Sequence, residues 1–127
     1  MIATSAMLKL AGFLMVHALW VMSELTEGDL YVPSALCETA KGDRELVVFE
    51  AESQVEAIER GKAFLQSPPD RFVRCAFARD GRVNTAAGYV DILNVSMWER
   101  SKGEVAIVTQ PYRPPFKKSF ALLGSEV

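Results

Sequence analysis

Few residues of this 127-residue chain carry usable chemistry. One histidine, His17, stands inside "LAGFLMVHALW". A lone imidazole on an apolar helix reads as a hydrogen-bonded core or interface group, because general-base catalysis needs a nucleophile and an orienting acid within reach. The two cysteines, Cys37 in "SALCET" and Cys75 in "VRCAFA", share no short spacing and sit in apolar surroundings. They read as reduced, buried thiols of a cytoplasmic protein. Glu50 and Glu52 are two apart and so share one side of a strand, and Asp91 is a third acid in an apolar strand. Three carboxylates suit a hard cation or a split acid–base pair. The simpler assignment leaves the two glutamates in solvent at a strand end and pairs Asp91 with a base from the second half of the chain. On this reading no residue is catalytic and none ligates a metal.

The cationic residues raise a second possibility. "RFVRCAFARDGR" spaces Arg71, Arg74, Arg79 and Arg82 among aromatics, and "YRPPFKKSF" repeats the mixture. Binders of single-stranded nucleic acid combine such cations with stacking rings. Yet Phe72, Phe77 and Phe116 are needed for a core and the net charge is -2, so no nucleic-acid partner is expected. "QPYRPP" suits an extended, polyproline-like contact segment carrying Tyr112 and Arg113, or a rigid exit from a strand. The sequence contains no phosphate loop, dinucleotide glycine pattern, paired-cysteine zinc spacing, HExxH or GxSxG, and no cofactor is expected.

These residues belong to a chain of ordinary composition, 50% hydrophobic and 24% charged, sized for one domain over residues 1–127. Charge is unevenly placed: four Lys/Arg and ten Asp/Glu in residues 1–60, ten and six in the remainder. Opposite halves of this kind pack together, within one chain or across a dimer.

The opening segment decides the compartment. Lys9 and Glu24 bound 14 uncharged residues, short of the roughly 20 that span a bilayer. The start is barely basic, His17 interrupts the apolar centre and no Ala-x-Ala follows, so neither a secretion signal nor a membrane partner is expected. The spacing predicts a helix from about Ser5 to Leu25, ended by "TEGD". At about 100° per residue, Met7, Leu10, Ala11, Leu14, Met15, Ala18, Val21 and Met22 share one face. The other side mixes Lys9, Gly12, Ser23 and Glu24 with Phe13, Val16 and Trp20, and His17 lies at the edge. A helix apolar nearly all round must be covered on two sides. Phe13, Val16 and Trp20 therefore read as a homodimer interface or the wall of a ligand cavity.

The remaining elements follow from pattern. "DLYVPSALCET" and "DRELVVFEA" read as strands joined by a turn at "AKGD". Pro33 makes the first an edge strand or delays its start, and Leu46 to Phe49, apolar on both faces, predicts a central strand. "AESQVEAIERGKAFLQSPP" predicts a helix with Ser53 and Glu56 as a capping box, Val55, Ile58, Phe64 and Leu65 as its stripe, and Ala57 and Gly61 for close packing. A strand through "RFVRCAFA" should turn at Asp80-Gly81, "YVDILNVSMW" and "VAIVTQPY" follow as strands, and residues 113–127 leave the sheet as a tail because Pro114 and Pro115 cannot pair. The order α-β-β-α-β-β-β predicts an α+β domain: an antiparallel sheet of about five strands with two helices packed on it. If both helices cover one face, Tyr89, Leu93 and Met97 or their alternates remain uncovered on the other.

The succession "VHALW … RELVVFEA … EAIERGKAFL … PYRP" resembles small uncharacterised bacterial proteins, including the orphan single-domain kind carried on mobile gene cassettes. The resemblance implies an α+β fold in a cytoplasmic bacterial setting and transfers no activity. The expected function is a non-enzymatic, self-associating interaction domain, a homodimer through the first helix, with Phe13, Val16, Trp20, Tyr112 and Arg113 at its contacts. The alternative is a small-molecule binding protein with an apolar pocket between that helix and the sheet, lined by His17, Trp20, Tyr89, Asp91 and Trp98.

Overall fold

In the computed structural model, which describes residues 3–114 and 121–123, the first element is set by Thr4. Its Oγ1 accepts the Met7 N–H at 3.2 Å and so satisfies a free donor of the first turn of helix α1, Ser5–Ser23. The same Oγ1 donates to Glu99 Oε1 at 2.9 Å, which pins the start of the helix to the sheet. The helix stops at "TEGD", where Thr26 donates through both its N–H and its hydroxyl to Asp29 Oδ2 at 3.0 and 2.6 Å. By length and composition α1 is long and apolar enough to cross a bilayer, although charges were expected to make it too short. In this fold it lies along the sheet, with Met7, Leu10, Ala11, Leu14, Ala18 and Met22 buried.

The chain continues as β1 (Ser34–Thr39), β2 (Arg44–Val48), α2 (Gln54–Gln66), β3 (Phe72–Thr85), β4 (Gly88–Glu99), β5 (Gly103–Arg113) and β6 (Ala121–Leu122). All pairings are antiparallel, in the spatial order β2-β1-β3-β4-β5-β6. The fold is thus α+β with two helices, and the sheet has six strands where five were expected. The tail accounts for the sixth. Ala121 and Leu122 return beside Arg113 and Tyr112, and the Leu123 N–H reaches the Pro111 carbonyl at 3.0 Å. A proline lacks the donor but keeps the acceptor. Pro115, Phe116 and the rest of the expected tail at 117–120 and 124–127 lie outside the described residues.

β1 begins directly after Pro33, the second of the two expected alternatives, and is an interior strand. Two strand expectations need correction. β2 is the edge and not a central strand, with Leu46 and Val48 exposed. The crossover through α2 brings β3 against β1, so β2 has no second neighbour among the described strands. Asp80-Gly81 makes no turn. β3 runs through it to Thr85, which gives the long β4 a partner along its whole length, with Asp80 opposite Leu93 and Gly81 opposite Ile92. The hairpin instead closes at "TAAG", where Thr85 Oγ1 accepts the Ala87 N–H at 3.2 Å and donates to the Gly88 carbonyl at 2.7 Å. Gly88 supplies the left-handed backbone there, at φ 112°.

Alternation along the strands sends the two helices to opposite faces. Leu36, Ala76, Ala78, Leu93, Val95 and Met97 face α1 and form one core with it. Their neighbours Ala35, Cys37, Cys75, Phe77 and Trp98 face the other way, into a second core with Phe49, Phe72 and the α2 residues Phe64 and Leu65. Leu93 and Met97 are therefore covered. In α2, Ser53 Oγ accepts the Glu56 N–H at 3.1 Å, which is half of the expected capping box. Glu56 turns instead to Arg60, at 2.9 Å. Val55 is exposed, and the small Ala57 and Gly61 are the buried positions of this helix.

Part of the charge asymmetry is met within the chain, where two acids of the first half pair with bases of the second. Glu38 on β1 sits between Arg44 of β2, at 2.9 Å, and Arg74 of β3, and Glu45 pairs with Arg71 at 3.0 Å. Burial alone would raise the Glu38 carboxyl, but the two guanidiniums outweigh it and hold the group below the usual carboxylate range.

Gly61 is where α2 touches the sheet most closely: a Cβ there would stand 2.2 Å from the Phe77 ring. Replacing Gly61 with Ala should therefore destabilise the fold by about 1–3 kcal/mol through overpacking. That would outweigh the roughly 1 kcal/mol of helix propensity gained. Urea denaturation is the measurement; an unchanged or higher midpoint would mean the ring yields freely.

Candidate functional site

Three places in the structure hold chemistry or unsatisfied surface. The first is the outer face of α1. Packing on one side leaves Phe13, Val16 and Trp20 exposed at 60%, 70% and 64%. Lys9, Gly12 and His17 complete a shallow depression there of about 570 Å³. A smaller pit of about 140 Å³ continues it between Phe13, His17 and Leu46 of β2. The Arg44 guanidinium stands 5.3 Å over the Phe13 ring, so the apolar strip passes from the helix onto the edge strand. His17 belongs to this surface and not to the core.

The expected ligand set is not brought together. Between α1 and the sheet the space is largely filled by the helix's own side chains, apart from the pit at Phe13, Leu14, His17, Leu36 and Leu46, and His17, Trp20, Tyr89, Asp91 and Trp98 do not share one pocket. Trp98 lies on the α2 face, with Arg100 4.9 Å over its ring. Tyr89 is exposed near the β3–β4 hairpin, under Arg82 at 5.7 Å. Asp91 is buried and pairs with Arg82 at 3.5 Å, a base of the second half as the sequence suggested. Glu50 and Glu52 flank the start of α2, and among the described residues no three His, Cys, Asp or Glu side chains gather. Tyr112, expected at a contact surface, is instead buried inside the chain. Its place opposite Asp91 in the β4–β5 ladder turns the ring toward the α1 side of the sheet. Arg113 ends β5 half-buried.

Tyr112 and Asp91 do lie together in the second place, on the α1 side of the sheet. Tyr112 Oη donates to Asp80 Oδ1 at 2.7 Å, and the same oxygen accepts the Gly81 N–H at 3.0 Å. Burial, with Asp91 nearby, lifts the Asp80 carboxyl above its ordinary value in spite of both hydrogen bonds. Burial and the acceptor it faces push the Tyr112 phenol up as well. Asp80 was read only as a turn residue, and nothing local in "ARDGR" signals its burial. The cysteines are a comparable case. They lie directly opposite each other on β1 and β3, and contact with Cys75 followed by burial pushes the Cys37 thiol far up. A thiol so protonated is a poor nucleophile.

The third place is a cleft of about 510 Å³ on the opposite face, beside the C-terminal half of α2. Its walls include Lys62, Arg79, Asn94, Ser96 and Glu104 around Phe77, Trp98 and Ile107. In the sequence, the signal for this cleft is the pair of polar alternates Asn94 and Ser96 between Leu93, Val95 and Met97.

Comparison with protein-family models, curated proteins and solved structures finds no match to this chain.

A carboxyl whose value is raised on folding opposes the fold when ionised, and that cost disappears as pH falls below the unfolded value of 3.8. Asp80→Asn should thus be more stable than the wild type at pH 7, with its advantage shrinking on acidification toward pH 4. Tyr112→Phe should destabilise by about 1–3 kcal/mol, since it leaves Asp80 without its hydroxyl partner. Denaturant titrations of both variants across pH check the sign.

Proposed function

We propose that the protein is a cytoplasmic, self-associating domain without enzymatic activity, which dimerises through the outer face of α1. The observation that carries this reading is the exposure of Phe13, Val16 and Trp20 on one stripe of one helix. Exposed aromatic patches of this kind are enriched at the centres of protein interfaces. Cys37 and Cys75, opposed yet unlinked, fit a reducing compartment.

Residue spacing favours a second copy as the occupant. A two-fold axis crossing α1 between Val16 and His17 runs two copies antiparallel. Phe13 of one then meets Trp20 of the other, and Lys9 meets Glu24, because both pairs are spaced evenly about that point. Gly12, on the same stripe, has nothing within 4 Å of where its Cβ would stand and permits close approach of the helices. The 19 residues of α1 are about 28 Å long, too narrow a strip for the roughly 800 Å² per partner of a stable interface. The exposed Leu46 and Val48 of β2 widen it.

Light scattering after size exclusion should give twice the monomer mass at micromolar concentration. Trp20→Glu should weaken association by about 2 kcal/mol or more. Lys9→Glu should raise the dissociation constant about tenfold through its two symmetric pairs, and adding Glu24→Lys should restore it. A monomeric wild type at micromolar concentration would overturn the reading.

A further inference from the structure

The cleft beside α2 points to a function separate from self-association. We propose that it binds a small aromatic carboxylate, with Arg79 and Asn94 holding the carboxylate and the ring lying against Ile107 and Trp98. The argument begins with Arg79. Among the described residues, the arginines at 44, 60, 71, 74, 82 and 100 each meet an acid or a carbonyl, and Arg113 also has an interaction. Arg79 is the exception: half-buried on an interior strand, it has no hydrogen-bond or ion-pair partner among them. Asn94, directly opposite it on β4, and Ser96 are half-buried and equally unpartnered. Three polar side chains thus face the same cleft with their hydrogen-bonding capacity unused by the protein.

The sheet register orders these groups. Arg79 and Asn94 form one row across β3 and β4, and Phe77, Ser96 and Ile107 form the next. Rows two residues apart on a strand are separated by about 7 Å, roughly the distance from a carboxylate to the far side of an attached ring. Trp98 and Glu104 lie one row further on. A guanidinium presents paired donors that match a planar carboxylate, and the opposing amide adds a neutral donor. The charges select the ligand's valence. Lys62 and Arg79 face a single carboxylate, Glu104, which makes the cleft net positive in a chain of net charge -2. That excess suits a monoanion, whereas a phosphate dianion would exceed it and meet Glu104. At about 510 Å³ the cleft falls in the range of roughly 300–1,000 Å³ usual for small-molecule sites. It lies on the face opposite α1, so paired helices would leave it open.

The test is titration of the full chain with 2-naphthoate, 2-naphthyl phosphate and 2-naphthylmethylamine, followed by ¹H–¹⁵N NMR at the Trp98 indole and Arg79 Nε–H signals. Naphthoate should saturate with a dissociation constant below about 1 mM. The amine should bind at least about tenfold more weakly, since it meets Arg79 and Lys62 as like charges. Arg79→Gln and, separately, Asn94→Leu should each weaken naphthoate about tenfold with spectra otherwise dispersed as in the wild type. Arg82→Gln, an equal loss of charge on the other face, should leave the affinity unchanged. The proposal is overturned if naphthoate does not saturate, if Arg79→Gln binds it as tightly as the wild type, or if the amine or the phosphate binds as well as the carboxylate.

Discussion

A six-stranded sheet whose strands carry apolar side chains on both sides must be covered on both faces, and among the described residues two helices of unequal length do it. α1 has 19 residues and α2 has 13. Burying one face of a sheet against a helix is the main favourable term available to a domain of this size. Each helix therefore takes one face, and what each leaves over defines the molecule's surfaces. α1 covers its side of the central strands and carries apolar side chains on its own back. α2 is amphipathic and covers only the part of its face near β1 and β3, which leaves a cleft over β4 and β5.

Electrostatics does a different task at two places on one face of the sheet. At the β1 end, Glu38 is held between two arginines, and an acidic first half is joined to a basic second half across neighbouring strands. Such a pair is demanding, because removing either partner leaves a charge with little water to solvate it. At the far end Asp80 has a phenol and a backbone N–H but, among the described residues, no ion-pair partner, and burial disfavours its ionised form. Two carboxylates on the same side of one sheet thus have opposite tendencies, set by whether a guanidinium lies within reach.

Much of the architecture was legible in local pattern. The period of apolar residues marks both helices, Thr39 to Asp43 forms the expected turn with Gly42 at φ 94°, and Ser53 caps α2. These features depend on neighbours within a few residues of each other. The misreadings of the sheet concern which strand lies beside which. Leu46 to Phe49 looks central by composition, yet composition does not report neighbours, and the α2 crossover placed β1 between β2 and β3. Asp80-Gly81 has the residues of a hairpin turn, but the long β4 required a partner that continues through them.

By itself, then, the sequence determined the α+β class, the extents of the two helices and the doubly apolar character of α1, because each follows from side-chain periodicity along a single element. Only the tertiary structure decided what those residues do together. Register set Cys37 against Cys75, Asp91 against Tyr112 and Arg79 against Asn94 over separations of up to 38 residues. It also moved Trp98 to the face away from His17 and Trp20. In a sheet, a one-residue change of register exchanges every side chain between the two faces. Which groups converge on a site is therefore a property of strand pairing, and no local stretch of sequence contains it.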